Sequence, residues 1–374
     1  MPNLASRNLF HDRVRLIVTL TGIIFAVVLV AIQTGLFLGF STTTSNLIDH
    51  SGADLWVMSK GVRYVEVGVP FSERKLYQVL GVPGVEKADK YIVRFSLWKR
   101  PDGGEENCEV VGFNPDSGFG GPWNLVEGSI RDIKPENHVI IDRFYSKKLV
   151  VTHLGQNVEM RGHRARVVGF TSGIRTFTTA PLVFTSYKNA QDYTSLPSDQ
   201  TMFILVKAKP GVPLDQLRRN ILARVEDIDV YTTPEFSART SNYWMFGTGA
   251  GVTVLIAATL GLIVGIVVVA QTIYAATIDH IREYGTLKAM GATNGYIYRI
   301  ILNQALISAL IGYAAGMSIA LVVISFSEGG GPAIVLPHPV KAGLFFLTLF
   351  MCTSAALVSI RKVTRIDPAM VFKG

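Results

Sequence analysis

Residues 16–40 of this chain carry no charged side chain, and three further apolar blocks follow at 244–277, 297–326 and 340–360. About twenty consecutive apolar residues are enough to cross the hydrocarbon core of a bilayer. In lipid a segment must satisfy its own backbone hydrogen bonds, which leaves the helix as the conformation for such blocks. The sequence therefore predicts four membrane-spanning helices, with a large water-facing region at 41–243 between the first and second. The first block is too long for the apolar core of a cleaved signal peptide, and no small-x-small cleavage site follows it. The second exceeds what a bilayer needs, so one end is expected to project into water as a stalk.

The flanking lysines and arginines set the orientation. Arg7, Arg13 and Arg15 precede the first span. Arg282, Lys288 and Arg299 stand between the second and third, and Arg361, Lys362, Arg365 and Lys373 follow the fourth. The opposite flanks at 41–59, 240–249 and 327–339 contain neither residue type. Both termini and the 278–296 segment are thus expected inside the cell. The 41–243 region and the 327–339 loop are expected outside, and in a two-membrane cell that means the periplasmic face of the inner membrane. Tyr243 and Trp244 fall where an interfacial aromatic belt belongs. Lys341, at the start of the fourth block, can snorkel to the interface.

The net charge of +8 comes without a dense basic stripe interleaved with aromatics, which argues against nucleic acid as a partner. The spans hold almost no ionisable groups, whereas proton relays and ion pathways need them. Gln33 and Thr34 form the main polar pair of the first span, suited to an interhelical hydrogen bond or a substrate contact. Small residues recur four apart at Gly35 and Gly39, Gly261 and Gly265, and Gly312 and Gly316. Such pairs let helix backbones approach closely, within one bundle or between two copies. Cys108 and Cys352 lie in regions of different character and are read as two unrelated small hydrophobes.

The 41–243 region alternates strand-like and helix-like runs, giving an α+β or α/β class. Strands are predicted at 55–58, 91–99, 108–113, 139–141, 202–207 and 229–232, with a hairpin of 158–160 and 164–170 about Gly162. Helices are predicted at 72–80, with Ser72 as N-cap, and at 214–225. His138, His153 and His163 lack metal-ligand spacing, no G-x-S-x-G elbow occurs, and residues 118–122 read as a glycine-rich turn. The chain has no Gly-Lys dipeptide and hence no P-loop.

The segment between the second and third spans reads Asp279-His-Ile-Arg-Glu-Tyr-Gly-Thr-Leu-Lys-Ala-Met-Gly-Ala292. It is too short for a domain and more patterned than a simple linker. Arg282 and Glu283 place both charge signs on a short helical stretch, Leu287 and Met290 offer an apolar face, and Gly285 and Gly291 punctuate it. Two readings stay open from the pattern alone: a solvated helix-turn joining two spans, or a docking element for a cytoplasmic partner.

Arg282-Glu283-Tyr284-Gly285-x-Leu287-Lys288-Ala289-x-Gly291-Ala292 closely resembles the signature of FtsX-like, MacB-type ABC transporter permeases. The resemblance extends over nearly the whole chain. Leu4-Ala5-x-Arg7-Asn8-Leu9 resembles the amphipathic helix (here 1–15) with which that family enters the membrane. Leu154-Gly155-Gln156-x-Val158 and Arg166-Val-Val-Gly169 resemble its outer core domain, and Asp367-Pro368-Ala369, in the 361–374 tail, its terminal motif. No ATPase domain is fused to the chain, which makes it most similar to the stand-alone DevC branch of glycolipid exporters.

The resemblance implies a MacB-type periplasmic core on four transmembrane helices, without a catalytic, cofactor or metal site of its own. ATP would be bound by a separate cytoplasmic ABC ATPase. Arg282, Glu283, Tyr284, Gly285, Leu287, Lys288, Gly291 and Ala292 would receive its motion, and the second span would pass that motion outward by mechanotransmission. The permease would act as a homodimer in the lipid bilayer with a membrane fusion protein, exporting an amphiphilic substrate such as a glycolipid. An outer-membrane channel stays open as a further component. Two alternatives remain: an FtsX-like signalling permease that regulates a cell-wall hydrolase, and an anchored receptor without an ATPase.

Overall fold

The computed structural model describes residues 13–327 and 333–364. The motifs at 4–9 and 367–369, with Arg7, Arg365 and Lys373, lie outside the described residues. In chain order the structure begins with helix α1 (Arg13–Thr43), then β1 (Leu55–Ser59), β2 (Phe71–Ser72), α2 (Lys75–Leu80), β3 (Val85–Lys99), β4 (Glu105–Phe113) and β5 (Leu125–Glu127). Next come β6 (His138–Asp142), β7 (Asn157–Met160), β8 (His163–Thr171), β9 (Leu182–Ser186), α3 (Tyr187–Thr194), β10 (Gln200–Thr201) and β11 (Phe203–Ala208). The chain continues through α4 (Leu214–Arg224), β12 (Ile228–Thr232), α5 (Thr233–Asn242), α6 (Ala250–Asp279), α7 (Ile281–Ala289), α8 (Asn294–Ser327) and α9 (His338–Thr364). Two compact units result: a helical one built from α1 up to Leu38, residues 253–327 and residues from 334 onward, and an α/β one spanning Gly39–Val252, called the outer unit after its expected side.

In the helical unit, α1, α6, α8 and α9 are each long and apolar enough to cross a membrane. Lipid tails supply no hydrophobic drive between helices, so close packing must hold them. The glycine pairs show how. A Cβ at Gly312 would lie 2.5 Å from Ile23 Cγ2, and one at Gly316 2.9 Å from Val27 Cβ. Ile23 and Val27, four apart on α1, thus sit against the glycines four apart on α8. On α6, Gly261 faces Gln33 and Gly265 faces Val30 and Ala26. These four glycines pack within one chain, against side chains of the first span. Gly35 receives Ile334, and its carbonyl accepts the Val335 N–H at 3.0 Å. The Gly39 carbonyl accepts the Thr43 hydroxyl at 2.7 Å.

The outer unit is built on a mixed sheet in the order β12-β1-β11-β3-β4-β9-β6-β8-β5, with β7 bridging β3 and β8. The pairs β4–β9 and β6–β8 are parallel. Strand β1 lies between β11 and β12, with Trp56 opposite both Leu205 and Tyr231. Its run Leu55-Trp-Val-Met58 is apolar throughout because both faces are covered, the pattern of a buried central strand. Leu55 and Val57 pack with Val79 of α2 and Leu217 and Ile221 of α4. Trp56 and Met58 join the other, larger core with Tyr91 and Phe236.

Two features differ from the sequence-based expectation. Ser72 does not cap a helix: it pairs with Gln200 in a two-stranded ladder, and α2 starts only at Lys75. The apolar block at 244–277 enters regular helix only at Ala250. Before it, Tyr243–Gly247 forms a π-helical turn continuing from α5. Gly249, at φ +77°, makes the break, and a Cβ at Gly251 would lie 2.4 Å from Met245 Cα.

Candidate functional site

Helix α7 is a short helix of nine residues, about two and a half turns, between two long ones in the chain. His280 alone separates it from α6, and the His280 Nδ1 lies 2.9 Å from Glu283 Oε1. Its other end closes in a Schellman turn: the Gly291 N–H bonds to the Lys288 carbonyl and the Ala292 N–H to the Leu287 carbonyl, each at 3.0 Å. Gly291 stands at φ +94° there, a conformation that costs glycine nothing. The sequence shows the need for a turn but not its type.

The helical phase divides the motif residues into two groups. Arg282, Glu283, Thr286 and Ala289 are exposed, and Met290 is 72% exposed. Tyr284 and Gly285 are buried. Leu287, half-buried, packs against the bundle core of Ile297, Ile301 and Ile360. Tyr284 reaches further inward: its hydroxyl donates to Gln304 Oε1 of α8 at 2.8 Å, both groups buried. Burial pushes the phenol above its ordinary value, which keeps it a neutral donor. The surface of the segment is therefore formed by Arg282, Glu283, Thr286, Ala289 and Met290, with Lys288 half-buried. Tyr284, Gly285, Leu287, Gly291 and Ala292 shape and anchor the segment instead. Gln304 escaped sequence reasoning, because nothing in α8 marks it, rather than the adjacent Asn303, as the anchor of another helix.

Among the described residues no group of three or more His, Cys, Asp or Glu side chains is placed to hold a metal ion. His138 is taken up by the Asp132 carbonyl at 2.6 Å and His153 by the Thr152 hydroxyl at 2.9 Å. Cys108 and Cys352 are both free thiols, each buried in its own unit.

Comparison with known proteins matches residues 16–224 to the MacB-like periplasmic core domain and residues 244–368 to the FtsX-like permease C-terminal region. The chain is 27% identical over 378 residues to an uncharacterized ABC transporter permease of Mycobacterium tuberculosis H37Rv, covering 99% of both. It is 23% identical over 376 residues to one of Mycobacterium bovis, again over 99% of both. Among solved structures, the periplasmic region of MacB from Actinobacillus actinomycetemcomitans aligns with 51% of this chain and 94% of its own at 11% identity and a TM-score of 0.40. The extracellular domain of the noncanonic ABC-type transporter YknZ from Gram-positive bacteria aligns with 48% and 98% at 14% identity and a TM-score of 0.36.

Proposed function

Since the chain belongs to the MacB-type, FtsX-like family of ABC transporter permeases, we propose that α7 is the element on which its partner ATPase acts. ATP hydrolysis belongs to that partner. The observation that carries the reading is the two-sidedness of α7: a charged face of Arg282 and Glu283 turned outward, and an opposite face held in the bundle by Tyr284 and Leu287. A segment that only joined two spans would need neither the charge pair nor the anchor.

The work done is export of an amphiphilic substrate by mechanotransmission. Motion enters at α7, passes along α6 and reaches the outer unit through the π turn and α5. Spans without ionisable pathways suit this mode, since nothing hydrophilic crosses between them. The lysine and arginine bias supports a position in the cell membrane with α7 inside. Only 17% of the most apolar window of α6 is buried within the chain, which leaves that helix a broad face for lipid or for a second copy in a homodimer. A membrane fusion protein is the natural outer partner, and a glycolipid fits the substrate class.

Glu283→Lys tests the reading. It reverses one exposed charge without entering the core, so the spans should stay folded while co-purification of the ATPase is lost. Retained binding with full stimulated ATPase activity would sink the assignment of α7.

A further inference from the structure

Gln304 makes only half of the contacts it is equipped to make. The residue is 9% exposed, and its Oε1 accepts the Tyr284 hydroxyl. Its Nε2 has no hydrogen-bond partner in the protein. An amide N–H left dry at that depth is costly, and buried polar groups are as a rule satisfied by protein or by ordered water. Gln304 lines a cavity together with Thr19 of α1, Thr277 of α6, His280 and Ser308 of α8. Five polar side chains from three spans and the joint before α7 thus converge at one end of the bundle. The cavity offers about 40 Å³ to a water-sized molecule, where roughly 10–15 Å³ and two to four polar partners are needed to hold one. The Thr277 hydroxyl already donates to the Ile273 carbonyl at 2.8 Å, so its lone pairs remain for a donor in the cavity.

We propose that Gln304 is the positioning residue of the coupling segment. It holds α7 on α8 through the Tyr284 hydroxyl, and a water molecule in the cavity receives its free N–H and links it to Thr277 at the end of α6. Without that link α7 is held by its joint at His280, its glycine turn at Gly291 and the packing of Leu287 alone. With it, a displacement of α7 reaches α6 and α8 together. The coupling role rests on the reading of α7 as the ATPase-receiving element. The tether and its water do not.

The test uses the full chain in lipid nanodiscs with the ATPase that co-purifies with it. Tyr284→Phe, Gln304→Met and the double variant are compared by amide hydrogen exchange of residues 281–289. Each single change should speed exchange about fivefold, and the double should add nothing further, the signature of one shared bond. The ATPase should still co-purify, while its stimulation falls by a similar factor. Radiolytic labelling in oxygen-18 water reads the cavity directly: Ile273 and Ile301, buried residues that line it, should label faster than Ile23, a buried residue that does not. Unchanged exchange in the single variants, additive effects in the double, or Ile273 and Ile301 labelling no faster than Ile23 would overturn the proposal. If Glu283→Lys leaves the ATPase bound and stimulated, the coupling role falls with the reading it rests on. Exchange and labelling, which need no ATPase, then still decide the tether.

Discussion

The indole Nε1 of Trp244 donates to Oε2 of Glu66 across 3.2 Å, tying the π turn that follows α5 to a buried carboxyl group. Aromatic rings complete the clasp. Tyr64 stacks on Tyr243 at 4.0 Å, Phe177 lies 4.4 Å from Trp244, and Phe40 meets Phe177 edge-on at 5.6 Å. The first and last segments of the outer unit are thereby gathered at one place. Burial raises the Glu66 carboxyl to about 7. Glu109, wholly buried nearby, is raised well above the carboxylate range by burial and then by the charge of Glu66.

This raised carboxyl makes the outer unit respond to pH in a definite direction. Folded, Glu66 keeps its proton up to about pH 7; unfolded, it releases it near 4.5. Between these values the folded state holds more protons, so stability falls as pH rises. The contribution is full below about 4.5 and gone above about 7. The unfolding midpoint of the full chain, followed by tryptophan fluorescence, should drop between pH 5 and pH 8. Glu66→Gln should flatten that drop, and an unchanged slope would contradict the assignment.

Asp142 is buried too, but both of its carboxyl oxygens are partnered. It is 1% exposed, and its Oδ1 accepts the Phe144 N–H at 2.9 Å. Its Oδ2 accepts the Thr171 hydroxyl and the Ile174 N–H, each at 2.8 Å. Asp142→Ala strands three donors in the core and should cost roughly 3 kcal/mol. Thr171→Val removes one donor together with its own bond and should cost less. Urea unfolding of both variants checks the order.

The glycine seam between α1 and α8 predicts a paired result. Gly312→Ala forces its methyl into Ile23, and overpacking of this kind costs about 1–3 kcal/mol. Ile23→Ala in the same chain should recover much of that loss. Gly343→Ala, on α9 with no neighbour within 4 Å of the added carbon, should leave the thermal midpoint in detergent unchanged.

The spans were legible because lipid imposes a length and a polarity that no soluble helix must meet. The strand 55–58 was legible for a related reason, being buried on both faces. Ser72 misled because a serine followed by an acidic residue is a local capping signal, whereas its partner Gln200 is distant in sequence and tertiary pairing prevailed. The 182–186 strand and the α3 that follows it, capped by the Ser186 hydroxyl, carried signals too short to separate from a loop. In the 282–292 segment the residue types were visible, but not which side each would take. That depended on where Gln304 would receive Tyr284. Likewise the glycine spacing could not say whose side chain filled each groove. Glu66 and Glu109 look like any surface carboxylates until the sheet closes around them.

The place of β1 between β11 and β12 sets the timetable of biogenesis. Leu55-Trp-Val-Met58 leaves the ribosome directly after the first span, yet both of its neighbouring strands are complete only when residue 232 has been made. At ordinary rates of translation the interval is on the order of ten to thirty seconds. For that time a wholly apolar strand with two open edges must be sheltered by something other than its own domain. A chain cut short before residue 203 would leave both edges of this strand open, and one cut between 208 and 228 would leave one.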